Sequence, residues 1–516
     1  MMPPQISILE TDNSAPGATA AEKRDMERWV FAVTLILVFI MAARTPLDSD
    51  LWWHLRSGEV TWTSRQILLT DVFSYTRAGA AWVNHSWLGQ VVLYGLYRVG
   101  SYLAISACVA GVATLALGLL ARTMEGPAIL RSFLLVLATS VAALAWPARP
   151  QIFSFLLIAL VGSILYRYKW EQVDRLGWLI PIFILWSNLH GGYVLGLLWI
   201  GMVIAGELLN HLLGYTGEEI LSFQKIFRLA FFGLIAGFAV LLNPNGIQTW
   251  LIPFQTVGVN ALQNLISEWA SPDFHQFVQL PFLAVIILTI FCIGTSGRRL
   301  DGSDFTLLAG FMALGLVARR NFGPFALAAI PVLSRHLWPA IQLWVSRVQP
   351  ILQEYGLLRK ISWSRPTSNR PAVKRWVNLG VLLFLGISAA IKVVGVSLPG
   401  VVERYENEIF PAKAVTWVQE HHPQGTLFNS YDWGGYLIWR LRDYPVFVDG
   451  RTDLYNDEII SQWIQVMNAR PGWEHVLDRW GVHLVMVPPD WPINSILPRS
   501  GWSVLYQDQQ AVVYGR

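Results

Sequence analysis

The residues of this chain whose types and spacing could do chemistry begin where its first long apolar run ends. There "TPLDSDLWWHLRSGEV" (45–60) places Asp48, Asp50, His54 and Arg56 close together. A carboxylate in such a place can take the proton of an attacking hydroxyl or amide, or help to hold a divalent cation. A guanidinium offers a phosphate a planar fork of permanently charged donors. Further along, His85, Arg149, His190, Asn243, Glu268, Asp273, His275, Arg319 and Arg320 stand beside other apolar runs. Ionisable groups near bilayer depth are costly unless they line a water-filled cavity or meet a ligand, so a dozen of them on one face mark a site.

The elements that must position them are membrane helices. Apolar residues make up 54% of the 516 positions and charged ones only 14%, far from the make-up of a soluble domain. Apolar runs lie near 28–44, 102–121, 131–147, 151–166, 177–190, 192–213, 228–243, 279–295, 304–318, 323–338 and 376–396. They predict a polytopic helix bundle of about eleven spans. Loops rich in Lys and Arg, such as "EKRDMER", "YRYKWEQVDR", "TSGRRLD" and the stretch 335–375, alternate with loops that lack them. The positive-inside rule then puts the N-terminus and the polar tail 1–27, read as disordered, in the cytoplasm, with the chemistry-bearing loops outside an inner, cytoplasmic membrane.

The first outer loop, 45–101, is too long for a connector. "DLWWHLRSGEVTW" and "WLGQVVLYGLYRVG" predict helices lying in the interface, with Trp52 and Trp53 as headgroup anchors. After the transmembrane part (28–400), residues 401–516 predict a small α/β domain on the outer side. Its β-rich runs are "GTLFNSYDWGGYLIWRL", "YPVFVDGRTDLY", "HLVMVPP" and "AVVYGR", and "PAKAVTWVQEHH" and "DEIISQWIQVMN" have helical spacing. Gly434 and Gly435 suit a strand turn or a close backbone approach. Asp449 and Arg451 either face the membrane site or pair at a strand end.

Composition also excludes. Cys108 and Cys292 both lie inside apolar runs, which leaves no disulfide framework or thiolate metal site. A net charge of +4 calls for no nucleic acid partner. No Gly-rich phosphate loop is present, which argues against direct use of a nucleotide sugar. A transporter would use a similar polar cavity but should show inverted repeats, and a polysaccharide polymerase or ligase of another membrane fold would carry its long loop late in the chain.

Taken together, the motifs resemble those of the GT-C superfamily, polytopic glycosyltransferases that take sugars from polyprenyl-linked donors, and within it a bacterial branch. "DLWWHLR" is similar to the first-loop motif of oligosaccharyltransferase catalytic subunits, with Asp50 in the place of the essential acid. "SEWASPDFHQF" resembles the later loop that carries a Glu, here Glu268. "GLVARRNFGPFALAAIP" resembles the late span whose Arg holds the carrier phosphate, here Arg319 or Arg320. "WVNHSWLGQVVLYGLYRVG" is similar to the second interfacial helix of the protein mannosyltransferase and aminoarabinose transferase branches, with Ser86 instead of Pro after His85. "YDWGGYL" loosely resembles the Trp-Asp-Tyr-Gly segment of the oligosaccharyltransferase outer domain. The next outer loops contain no second Asp-x-Asp.

The resemblance implies a polyprenyl-linked sugar donor in contact with membrane lipids. The acceptor, a glycan, a lipid or a protein, stays open. Asp50 would act as the base, with Asp48 as helper or, with Asp50 and Glu268, as a ligand of a divalent metal ion. Arg319 and Arg320 are the candidates for the phosphate, with Arg149 in "WPARPQ" the alternative outside the resemblance, and His54, His85 and His190 are supporting donors. Direct attack at the anomeric carbon would invert it.

Overall fold

A computed structural model describes residues 20–258, 266–354 and 371–516. The N-terminal tail lies outside the described residues up to position 19, as do positions 355–370 of the basic stretch 335–375. Every one of the eleven apolar runs lies on a helix. Six helical segments among the described residues are long and apolar enough to cross a bilayer: Trp87–Ala121, Gln151–Trp170, Tyr193–Leu212, Phe223–Leu242, Phe277–Thr295 and Arg375–Val396. Ala128–Ala142, Leu176–Leu189 and Gly302–Val317 are apolar but shorter. The chain is a multi-pass membrane protein, mainly α-helical, with a small α/β unit at its C-terminal end.

Small residues let the helices cross closely. A Cβ at Gly206 would lie 2.2 Å from Ser303 Cα, so the helices Tyr193–Leu212 and Gly302–Val317 meet backbone to backbone. Buried ion pairs tie the same end of the bundle. Lys169 bonds Glu207 and reaches Asp301 at 3.1 Å, and Arg335 clasps Asp304. Lys169 closes the helix that begins just after Arg149, so this charged layer and the loop that carries Arg149 sit about 30 Å apart at opposite ends of one helix.

Both helices expected in the first outer loop are present. Leu51–Ser64 is one. The other is the first part of Trp87–Ala121, which breaks at Gly100 and Ser101 (φ 49°) before the membrane run starts. Their Trp pair does not face headgroups, however. Trp52 is fully buried and Trp53 nearly so, in a second core shared with the C-terminal unit. Trp52 packs edge-on against Tyr102, Phe410 and Tyr436, and Trp53 against Trp82. Burying two indoles in protein removes more surface from water than resting them at an interface, and the C-terminal unit supplies the cover.

That unit holds a four-stranded sheet, with β1 (Thr426–Asn429), β2 (Val482–Val487), β3 (Ser503–Gln507) and β4 (Val512–Gly515) in the order β1-β2-β4-β3. β1 runs parallel to β2, and β4 is antiparallel to both of its neighbours. "YDWGGYLIWR" is a helix, Tyr431–Arg440, where the sequence suggested a continued strand. Trp433, Tyr436 and Leu437 recur at helical spacing and face the core. Its two glycines sit where a side chain cannot. A Cβ at Gly434 would lie 2.1 Å from the Val448 carbonyl oxygen, and one at Gly435 2.4 Å from that of Ser49. "YPVFVDGRTDLY" likewise forms no strand of the sheet. Val446 makes one bridge to Ser74 of the first loop, and the chain then enters the helix Thr452–Met467.

Candidate active site

Where the first loop, the bundle and the C-terminal unit meet lies a cavity of about 590 Å³. One wall is charged: Asp50, Arg149, Glu268 and Arg320. The other, from the C-terminal unit, carries Tyr431, Trp463, Trp491 and Met467, with Asp432 and Asp453 among them. Asp50 occupies the N-cap position of Leu51–Ser64 but makes no capping bond with its side chain. Its Oδ2 faces Arg149 Nη1 at 2.8 Å. Asp48 Oδ1 accepts the Asp50 backbone N–H at 2.9 Å and a bond from Arg149 Nε, so Asp48 fixes both partners of that pair. Glu268 Oε1 stands 3.6 Å from Arg149 Nη1.

Arg149 reaches this position because Pro147 and Pro150 interrupt the apolar run around it. The helix Gln151–Trp170 starts immediately after Pro150. The two late arginines divide their tasks. Arg320 lines the cavity with its guanidinium 4.3 Å from the centre of the Trp269 ring. Arg319 turns away and donates from its side chain to the Ser267 carbonyl, while its backbone N–H meets the Ala270 carbonyl at 3.2 Å. It thereby holds the turn Ser267–Trp269 that presents Glu268.

Burial pushes the Asp50 carboxyl up to about 6, with Arg149 opposing and Asp48 reinforcing. Burial likewise raises Asp432 against the pull of Arg149, and Asp453 against that of His85. It weighs against the charged form of Arg320, which leaves that group suited to an anion. Burial also lowers His54, His85 and His190, so all three are neutral near pH 7.

None of these histidines lines the cavity. His190 Nδ1 accepts the Gly192 N–H at 3.1 Å and lies 2.8 Å from Ser154 Oγ. His85 packs 6.1 Å from the His190 ring, and His54 stacks on Trp53. They brace the joint behind the charged wall. Asn243 is buried and bonds the Ser187 carbonyl at 2.7 Å, and His275 pairs with Asp273 at the surface.

Asp449 and Arg451 do not line the cavity either, although Gly450 between them does. Both are fully buried. Arg451 bonds Asp449 and Asp71, each at 2.7 Å, and lies over the rings of Trp82 and Phe73. The pair is therefore a clasp between the C-terminal unit and the first loop. The cavity residues that sequence reasoning missed are Trp269, Tyr431, Asp432, Asp453, Trp463 and Trp491. Asp432 sits inside the quoted "YDWGGYL" and Asp453 only four residues after Asp449, but nothing in their spacing points at a membrane loop.

No family model and no curated protein sequence matches the chain. Solved structures do match. The archaeal oligosaccharyltransferase AglB from Archaeoglobus fulgidus, in complex with an inhibitory peptide and a dolichol-phosphate, superposes with a TM-score of 0.53 at 10% identity, over 90% of this chain and 70% of that one. ArnT from Cupriavidus metallidurans, bound to undecaprenyl phosphate, superposes with a TM-score of 0.50 at 14% identity, over 96% of this chain and 98% of that one. The fold is the GT-C fold. In this chain the Asp50 loop, the Glu268 turn and the Arg320 turn converge on one cavity.

The acids named for a divalent ion do not fit one. A hard cation needs several oxygens converging at 2.0–2.6 Å. Here the Arg149 guanidinium lies among Asp48, Asp50 and Glu268, and Asp50 Oδ1 is packed against Gly450. Among the described residues, no group of three or more His, Cys, Asp or Glu side chains is arranged to hold a metal.

Proposed function

We propose that this protein is a glycosyltransferase that moves a sugar from a polyprenyl-phosphate-linked donor to an acceptor on the outer face of the membrane, with inversion at the anomeric carbon. The observation that carries this is Asp50, a carboxylate pushed up to about 6, on the same cavity wall as two guanidinium groups, Arg149 and Arg320. The dolichol phosphate and undecaprenyl phosphate bound by the two GT-C structures support a lipid phosphate as the leaving group here.

In the reaction, the acceptor's oxygen or nitrogen attacks the anomeric carbon and the bond from that carbon to the phosphate oxygen breaks. The electron pair leaves with the polyprenyl phosphate. Arg320, which makes no salt bridge with a carboxylate among the described residues, meets the charge that grows on the phosphate, and its planar fork suits that task. Asp50 takes the acceptor's proton, oriented by Asp48 and Arg149. Tyr431, Trp463 and Trp491 offer ring faces across the cavity on which a sugar can lie.

The test is transfer by the purified full chain in lipid nanodiscs. It is given polyprenyl-phosphate-linked sugars and candidate acceptors, and released polyprenyl phosphate is read by mass spectrometry. Lipid-linked glycans accumulating in a deletion strain would identify the donor. Absence of both release and accumulation would refute the reading. For orientation, a cysteine at Gln509 should react with an impermeant thiol reagent on intact cells and one at Arg175 should not.

A further inference from the structure

Arg149 has no ordinary surface role. Its side chain is four-fifths buried, with Nε on Asp48, Nη1 on Asp50 at 2.8 Å and Glu268 at 3.6 Å. One guanidinium thus pairs with acids from two separate loops, the position that a divalent cation takes when carboxylates converge on it. The remaining oxygens leave no room for both. Asp48 Oδ1 already accepts two bonds, and the backbone of Gly450 covers Asp50 Oδ1.

We propose that the Arg149 guanidinium is the resident cation of this site, so that the acids Asp48, Asp50 and Glu268 work without a bound metal ion. Its catalytic meaning rests on the glycosyltransferase reading, but its binding consequence rests on geometry alone. A fixed internal cation cannot be lost to chelators, and it holds Asp50 at one angle to the cavity. Removing it leaves Asp48, Asp50 and Glu268 without their shared counter-charge, the condition in which side chains shift to draw in an external cation.

The test uses Mn²⁺ alone as the probe, by calorimetry and electron paramagnetic resonance, on the full chain in nanodiscs. Wild type should bind no Mn²⁺ at this site, and Arg149→Ala should gain one bound ion, at least roughly tenfold tighter than any residual binding to wild type. Arg149→Lys, which keeps a charge, should not gain it. The proposal fails if wild type binds Mn²⁺ and Asp50→Asn abolishes that binding, or if a folded Arg149→Ala protein gains none. Should Arg149→Ala not fold, the wild-type titration decides alone. A wild type that transfers no sugar and binds no Mn²⁺ would sink the enzymatic reading while leaving this one standing. Transfer that survives a chelator would join the two.

Discussion

Asp50 and Gly450 touch so closely that neither could carry another atom between them: a Cβ at Gly450 would lie 1.8 Å from Asp50 Oδ1. The C-terminal unit therefore seats the acid of the first loop directly, through a bare stretch of backbone. Gly450→Ala should displace Asp50 from Arg149 and slow transfer by about a hundredfold, the scale of a misplacement near 1 Å. Gly380→Ala, where nothing lies within 4 Å, should not. Comparing turnover of the two variants at matched thermal stability checks this, and equal rates would show that the contact is idle.

Asp50→Asn keeps the shape and one hydrogen-bond acceptor but removes the base. Transfer should fall by roughly 10²–10⁴-fold with folding intact. Asp48→Asn should be milder, about tenfold, because Asp48 orients the pair and does not face the acceptor. Turnover of Asp50→Asn near the wild-type rate would remove this residue from the mechanism.

The pH profile follows from the sign of the Asp50 shift. Burial favours the neutral form and raises the carboxyl to about 6, and a base must be ionised to act. The rate should therefore be flat above about pH 7 and fall about tenfold per unit as pH drops below 6. An acid limb near 4 would mean that Asp50 is not the titrating group.

Arg319 and Arg320 are adjacent in sequence and opposite in role. Arg320→Lys keeps the charge but loses the fork and should raise donor KM by roughly tenfold. Arg319→Lys can still bond the Ser267 carbonyl and should change donor KM less than about twofold. Donor titrations at fixed acceptor separate them, and the reverse ranking would place the phosphate at the other side chain.

Arg451→Met leaves Asp71 and Asp449 buried without a counter-charge. Loss of one partner of such a network costs about 3–5 kcal/mol, so the variant should melt earlier and expose the C-terminal unit to protease. A variant with unchanged stability but weakened donor binding would return Arg451 to the substrate side.

Much of this was legible in the chain itself. Eleven apolar runs fall on helices because length and hydropathy alone decide which segments can satisfy their backbone in lipid. Asp50, Glu268 and Arg320 could be named because a charge beside an apolar run is costly without a purpose. Tertiary structure alone decided the rest. It put Trp52 and Trp53 into a protein core, since an indole's preference for apolar surroundings does not say whether lipid or protein supplies them. It seated the two glycines of "YDWGGYLIWR" against Ser49 and Val448, a close approach that no local pattern encodes. It also sent Arg149 to the acids, Arg319 to a turn and Arg451 to a clasp. All three are guanidiniums beside prolines, glycines or apolar residues in sequence, and only contacts with residues far along the chain tell them apart.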